Sequence, residues 1–563
     1  MAPSGDGSRR SHKRQGIELS ITPTTSIVSS GRGMTRREML KGLGFGLGAT
    51  VLISGCVVPA PSEDPRLPPS GTPDISPFLD GVLAGDPAPD GALIWTRVEP
   101  QVPGAEMPIL WTVADDAAFT SIRAAGLVTA SASDGYAVTV PVTGLDPHSW
   151  YFYRFEAADQ SGTQVVSRSG RLRTAPAAGS SPDRLRFAFA SCQQINDSWF
   201  NAHAAAAAEP DLDFFMHLGD YVYASDTNTL SREDYRQTYQ RWRKQPLLRD
   251  LHAALPTVAM WDDGEFYNGI SKSGSADRLT AAKQAWFEAF PVNDPGGLQA
   301  YRRFGWGDLV DLSMIDVRAY RDDSVEDIAY TSTGGAYDSS RTTLGAEQYE
   351  WFTQGLASSQ AAWRIVGNPY NISPWKLVNL EFLRALRPDL PPNAGIYAPN
   401  EAWDDYLQER RDLLQFILDA GVTDTIFTSG HTHTALVSEL RVDYDRPSTP
   451  VAAFDFCTGS LTADPDPRKS FLGDLPEAAA TEVLRAAERI IINSNTPAMR
   501  HVNLIDQGYT VVDITPEETL VTIRNIDTTN PDAEAVDGAR FRVRKGAQRI
   551  EVLPTPTHKG SFG

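Results

Sequence analysis

His431 and His433 flank Thr432 directly after Gly430, in the stretch FTSGHTHTALV of a chain with only nine histidines. A strand presents residues i and i+2 on one face, and a tight turn at a strand end can aim both at one point. The pair can therefore hold a metal ion or stand as a solvated polar loop, and partners elsewhere in the chain must decide. Three further apolar runs stop on metal-competent groups: Ser191-Cys192 after LRFAFA, Gly219-Asp220 with Tyr223 after DLDFFMHL, and Trp261-Asp262-Asp263 after PTVAM. Asn368 ends the run AWRIVGN in the same manner. A carboxylate can bridge two cations, imidazoles suit Fe, Zn or Mn, and a thiolate or phenolate suits ferric iron. The set has the chemistry of a two-metal hydrolytic centre, in which two ions clamp the attacking and leaving oxygens of a phosphoryl displacement and acidify a water.

The elements that must position these residues are legible from hydrophobic patterning. Residues 76–180 read as short strands split by turns, with GALIWTRV, PILWTVA, YAVTVPVTGL and SWYFYRFEAA as examples, which predicts a β-sandwich of about a hundred residues. From Leu185 buried strands alternate with helical segments, the pattern of an α/β core whose strand ends deliver side chains to a site. Helices are expected near 201–208, through 231–251, at AEQYEWFTQGLAS and at DDYLQERRDLLQFILDAG, the last capped by Gly421. Further strands are expected at DLVDLSMIDVR, DTIFTSGH, VAAFDFCTGS and through HVNLIDQGYTVVDITPEETLVTIRNID. The catalytic region is placed at 181–530, with 531–563 as a C-terminal extension.

Ahead of these regions, TRREMLKGLGFGLGATVLISGC sets Arg36-Arg37 before a glycine-rich apolar stretch, as in a twin-arginine export signal, and Ile53-Ser54-Gly55-Cys56 has the spacing of a lipobox. The expected organisation is a signal over 1–56, lipid on Cys56, and a Pro/Ser-rich tether over 57–75, giving an exported, membrane-anchored lipoprotein at the cell surface or in the periplasm. Only Cys192 and Cys457 then remain, too few for a disulfide framework. The net charge of −20 argues against duplex nucleic acid as a partner.

The order of these motifs resembles the metallophosphoesterase superfamily, specifically its PhoD-like alkaline phosphatase and phosphodiesterase branch. The stretches that carry the resemblance are LAGDPAPDGALIWTRV, FASCQQ, HLGDYVY, PTVAMWDDGE, YRRFGWGDLVDLSMIDVRAYR, EAWDDYLQERRDLL and QGYTVVDIT. The resemblance implies a sandwich of two β-sheets flanked by helices behind an all-β, fibronectin-III-like domain. It also implies iron on Cys192, Asp220, Tyr223 and His433, with Asp220 bridging to a second ion held by Asp263, His431 and Asn368. Asp262 is the less favoured of the WDD pair. The second ion would be Ca, Zn or Mn, the substrate a phosphate mono- or diester.

Two departures from the family pattern matter. His431 stands where the branch usually has an aspartate, which favours Zn, Mn or Fe over calcium at the second position and assigns His431 and His433 to one ion each. Gly264 stands where WDDHE is the commoner form, so the histidine that would protonate the leaving oxygen is missing, and His217, Glu265, Tyr267 or Arg318 would have to donate instead. His217, set among apolar residues, reads better as a core histidine. Arg318 is either a phosphate clamp or the partner of Asp316 or another neighbour. Trp199, Trp261, Trp351 and Trp363 read as core or pocket wall, and Cys457 as a buried small hydrophobe. Two other functions fit parts of the pattern: a phospholipase-D-like phosphodiesterase acting on lipid head groups, and a non-catalytic surface-binding lipoprotein in which the β-sandwich does the work.

Overall fold

The computed structural model describes residues 76–555, apart from 101, 197, 225–229, 326–328, 331–334, 399–400 and 465–474. The export signal, the lipobox and the tether lie outside the described residues.

The N-terminal strands are β1 (Val82–Ala88), β2 (Gly91–Arg97), β3 (Met107–Ala114), β4 (Ile122–Ala130), β5 (Ala137–Thr143), β6 (Trp150–Ala158), β7 (Gln164–Val166) and β8 (Gly170–Arg173). They form two antiparallel sheets, β1-β2-β5 and β4-β3-β6-β7, with β8 also paired to β6. Strand alternation drives the closure: Val138, Val140 and Val142 of β5 are buried while their neighbours Thr139 and Pro141 are exposed, so one face joins Ile94, Ile109, Val113, Tyr153 and Phe155 in a single core.

The remainder runs β9 (Leu185–Ala190), α1 (Asn201–Ala208), β10 (Phe214–Leu218), α2 (Arg232–Arg243), α3 (Pro246–Ala254), β11 (Thr257–Met260), α4 (Ala276–Ala289), β12 (Arg302–Trp306) and β13 (Val310–Met314). It continues through β14 (Ala329–Tyr330), α5 (Ala346–Ser358), β15 (Trp363–Tyr370), β16 (Lys376–Asn379), β17 (Gly395–Tyr397), α6 (Leu407–Asp419), β18 (Thr425–Gly430), β19 (Ala435–Leu440) and β20 (Ala453–Cys457). The final elements are α7 (Glu477–Ser494), β21 (Met499–Asn503), β22 (Gln507–Ile514), β23 (Glu518–Ile526), β24 (Val536–Arg544) and β25 (Glu551–Leu553).

Two seven-stranded mixed sheets, β11-β10-β9-β22-β23-β24-β25 and β12-β13-β15-β18-β20-β19-β21, pack face to face. The period of two sorts the side chains. Phe187 and Phe189 of β9 enter the inter-sheet core, while Ala188 and Ala190 face α1 and α3. In the second sheet Ile365 and Ile426 point inward, while Val366 and Phe427 pack on Phe352 of α5 and Leu413, Leu414 and Ile417 of α6. The result is a helix–sheet–sheet–helix stack, in which the parallel strands β9, β10, β11, β15 and β18 all end on the same rim.

Three expectations change. The charged helix over 231–251 is two helices, because Pro246 lacks an N–H and starts α3 at its first turn, after α2 ends at Arg243. The segment placed outside the catalytic region, 531–563, supplies β24 and β25 to the sheet that carries β9. Trp199 is 57% exposed, whereas Trp261 and Trp363 are fully buried.

Candidate metal centre

Three strands of the rim, β9, β10 and β18, end in a backbone turn that L-residues seldom adopt. Cys192 (φ 62°), Asp220 (φ 53°), His431 (φ 73°) and His433 (φ 52°) all lie in the left-handed region. The turns are sewn together. The Cys192 N–H donates to the Gly219 carbonyl at 3.2 Å, the Gln193 N–H to the Asp220 carbonyl at 3.0 Å, and the His431 N–H to Ser191 Oγ at 3.3 Å. Gly219 is required because a Cβ there would fall 2.4 Å from Asp262. Glu265, fully buried, accepts the backbone N–H groups of Asp220, Tyr221 and Asp262 at 2.9, 2.7 and 2.7 Å, so one carboxylate braces two of the turns.

The side chains then meet as two clusters, Cys192–Asp220–His433 and Asp220–Asp262–Asp263–His431, with the ligand atoms of each within 4.8 Å of one another. Asp220 belongs to both, and the two histidines fall one to each. Tyr223 joins the first cluster, its hydroxyl 3.1 Å from His433 Nε2 and 3.5 Å from Asp220 Oδ2, and Cys192 Sγ lies 3.4 Å from Asp220 Oδ2. The Nδ1–H of His433 donates to the Asp464 carbonyl at 2.8 Å, which leaves the Nε2 lone pair facing the cluster. Cys457 supports the other turn, its Sγ donating to the Gly430 carbonyl at 3.3 Å from a buried apolar setting.

Burial and mutual repulsion shape the charge states of the clustered groups. Burial, and then Asp262, Asp263 and Glu265, push the Asp220 carboxyl well above its ordinary range; burial and Asp220 likewise raise the Cys192 thiol. Burial opposes charge on Asp262 as well, yet Arg318 and His431 hold it well below the usual carboxylate range. Burial and Arg318 oppose charge on His431, but its Nδ1 sits 2.7 Å from Asp262 Oδ2, and Asp262 together with Asp263 raises the imidazole pKa. The mixture of thiol, phenol, carboxylates and imidazoles, gathered in a buried site with carboxylates in excess, fits a pair of metal ions.

Arg318 is fully buried and pairs with Asp262, not with Asp316, which instead accepts the N–H groups of Arg318 and Ala319 at 2.9 Å. Its Nη1 makes no hydrogen bond among the described residues and lies 3.6 Å from Glu401 Oε2. Asn368 is turned to other work. Its oxygen accepts from Trp403 Nε1 at 3.2 Å, while its nitrogen donates to the Tyr370 carbonyl and Ser429 Oγ at 2.5 and 3.0 Å. His217 packs between Phe215 and Tyr221 on the helix side of β10, away from the clusters. Tyr267 lies beneath the Arg278 guanidinium, 4.3 Å from its ring centroid.

Gly264 has a steric reason to be glycine. Its N–H donates to Asp220 Oδ1 at 2.8 Å, and a Cβ would fall 2.6 Å from that oxygen and from the Val222 carbonyl. Gly264→His is accordingly expected to lower turnover by about tenfold or more and to reduce metal content, because the side chain displaces the shared carboxylate. Metal stoichiometry measured beside kcat checks this, and a variant with full metal and faster turnover would refute it.

The role of Ser191 in accepting the His431 N–H, the bracing role of Glu265, and Glu401 were not read from the sequence. Glu401 opens the stretch EAWDDYLQERRDLL, which carried the family resemblance, but nothing in its spacing shows that it reaches Arg318.

Comparison with known proteins identifies the family and the fold. The family model of the PhoD-like phosphatases matches residues 187–523, and that of their N-terminal domain matches residues 66–176. Alkaline phosphatase D of Bacillus subtilis (strain 168) is 31% identical over 424 residues, 69% of this chain and 70% of the relative. Among solved structures, one described as the structure of PhoD superposes with a TM-score of 0.74 at 28% identity, covering 88% of this chain and 95% of the other. A purple acid phosphatase from yellow lupin (Lupinus luteus) seeds, at 14% identity and a TM-score of 0.52 over 82% and 74% of the two chains, shares the fold.

Proposed function

This chain belongs to the PhoD-like phosphatase family and is a phosphoesterase; from that premise we propose that it hydrolyses phosphate mono- or diesters at a dinuclear, iron-containing centre. The observation that carries the proposal is the membership of Asp220 in both ligand clusters. Cys192, Asp220, Tyr223 and His433 would hold iron, for which a thiolate and a phenolate are suited donors. Asp220, Asp263 and His431 would hold a second divalent ion, Zn or Mn in preference to Ca because of the imidazole. Asp263 is preferred over Asp262, whose two oxygens already serve Arg318 and His431. When bound, the ions supply Lewis-acid stabilisation of the phosphoryl oxygens and an acidified water.

The protein's own side chains do the rest. Arg318, buried beside the second cluster, supplies a fixed positive charge to offset phosphate charge, while Asp262 holds its guanidinium through Nε and Nη2. With glycine at 264, protonation of the leaving oxygen contributes less, which favours esters with good leaving groups. We further propose export by the twin-arginine route, with lipid on Cys56, as its sequence motifs imply.

Metal analysis of protein purified without added metal, paired with its visible spectrum, tests the centre. Iron with a charge-transfer band that disappears in Tyr223→Phe is the expected result; a metal-free protein, or a band unchanged by that substitution, would sink the assignment.

A further inference from the structure

Glu401 lies beside Arg318 in the left-handed region, φ 50°. Arg321, fully buried, holds the residue twice: Nη1 donates to the Glu401 carbonyl at 3.1 Å and Nη2 to Oε2 at 3.0 Å. The same Oε2 lies 3.6 Å from Arg318 Nη1, the nitrogen of that buried guanidinium without a hydrogen bond. Gly269 touches both carboxylates, its N–H donating to Asp263 Oδ2 at 3.4 Å and its Cβ direction reaching within 3.4 Å of Glu401 Oε1. Glu401 thus rims the Asp220–Asp262–Asp263–His431 cluster, and at 38% side-chain exposure it is open to an arriving ligand.

We infer that Glu401 is a specificity-determining residue that selects phosphodiesters over phosphomonoesters by the charge of the phosphate. The inference rests on the phosphoesterase reading above. A phosphate held at the Asp220–Asp262–Asp263–His431 cluster lies near the exposed Glu401 carboxylate. A diester brings one negative charge and fills a further position with a neutral ester oxygen, whereas a monoester at alkaline pH is a dianion whose added charge faces Glu401. Repulsion between unit charges about 6 Å apart, screened as at a protein surface, corresponds to a discrimination of about tenfold or more.

The test compares kcat/KM for a bis-aryl and a mono-aryl phosphate in wild type, Glu401→Gln and Glu401→Asp, each metal-loaded, with calorimetric titration of inorganic phosphate. Glu401→Gln keeps an acceptor for Arg321 and removes the charge. It should lower the diester-to-monoester ratio by about tenfold and tighten phosphate binding by a similar factor, while Glu401→Asp stays close to wild type. Equal loss on both esters with unchanged phosphate affinity would reduce Glu401 to a brace for Arg321 and overturn the inference. Phosphate titration reads the charge effect even in a protein that turns over neither ester, so a failure of the phosphoesterase reading and a failure of the Glu401 assignment are distinguishable.

Discussion

Asp220→Asn is expected to release both metal equivalents and to lower kcat/KM by about 10³-fold, the largest effect of any single substitution at the rim. The carboxylate is shared by the two clusters, and a carboxamide cannot bridge two cations with both of its atoms. The metal-free fold should tolerate the change. Burial and the neighbouring carboxylates already favour the neutral form of Asp220, and the amide oxygen keeps the 2.8 Å hydrogen bond from Gly264. Metal stoichiometry, turnover and thermal unfolding of the apoprotein separate the two effects. Retention of one full metal equivalent would show that the clusters do not depend on a common ligand.

The second large effect concerns acid. Behind the Asp220 turn, His203, His217 and His252 are buried; neither ring nitrogen of His217 makes a hydrogen bond among the described residues, nor does Nδ1 of His203 or His252, while His203 Nε2 pairs with Gln193 Oε1 at 2.8 Å. Burial pushes His203 and His217 down to about 3, and burial followed by Arg243 pushes His252 well below its ordinary value. These depressed values fix the sign: below about pH 6.5 the unfolded chain binds protons that the folded imidazoles refuse, so their contribution falls as pH falls toward 3. At pH 5 each ring costs about 2 kcal/mol. Asp220 and Glu265, whose carboxyls are raised, act in the opposite direction in the apoprotein, so a difference between variants is the clean measure. The apoprotein of His217→Met should gain about 2 kcal/mol on wild type between pH 8 and pH 5, read from urea midpoints. A difference independent of pH would mean that His217 is not held neutral.

The sequence made the rim legible because each of its strands is an apolar run that stops on a polar group, and burial on both faces leaves no other reading of LRFAFA or TIFTSG. Side-chain direction was less accessible. Asn368 and Asp263 both end strand-like runs, yet Asn368 spends its amide on Trp403, thirty-five residues away, and only the tertiary fold reveals that partner. The reason for glycine at 264 was equally hidden, since the atoms that exclude a Cβ belong to residues 220 and 222. The break between α2 and α3 was written in Pro246 and could have been read. Glu401 could not, because its role depends on a left-handed turn and on two arginines brought in from another loop.

The pairing of β9 carries a consequence for how the molecule is made. β9 delivers Cys192 to the rim, and its neighbours are β10, a short way along the chain, and β22, which begins at Gln507. A growing chain that has not reached residue 507 leaves β9 with a bare edge, and the turn at Cys192 is then fixed from one side only. This pairing spans more than three hundred residues, so loop closure must precede any reward from it. The order of assembly follows: the histidine-bearing sheet, drawn from residues 302–503, can form first, while the cysteine strand gains its second neighbour late in synthesis. The Cys192 turn therefore gains its second neighbouring strand only once the chain has passed residue 507.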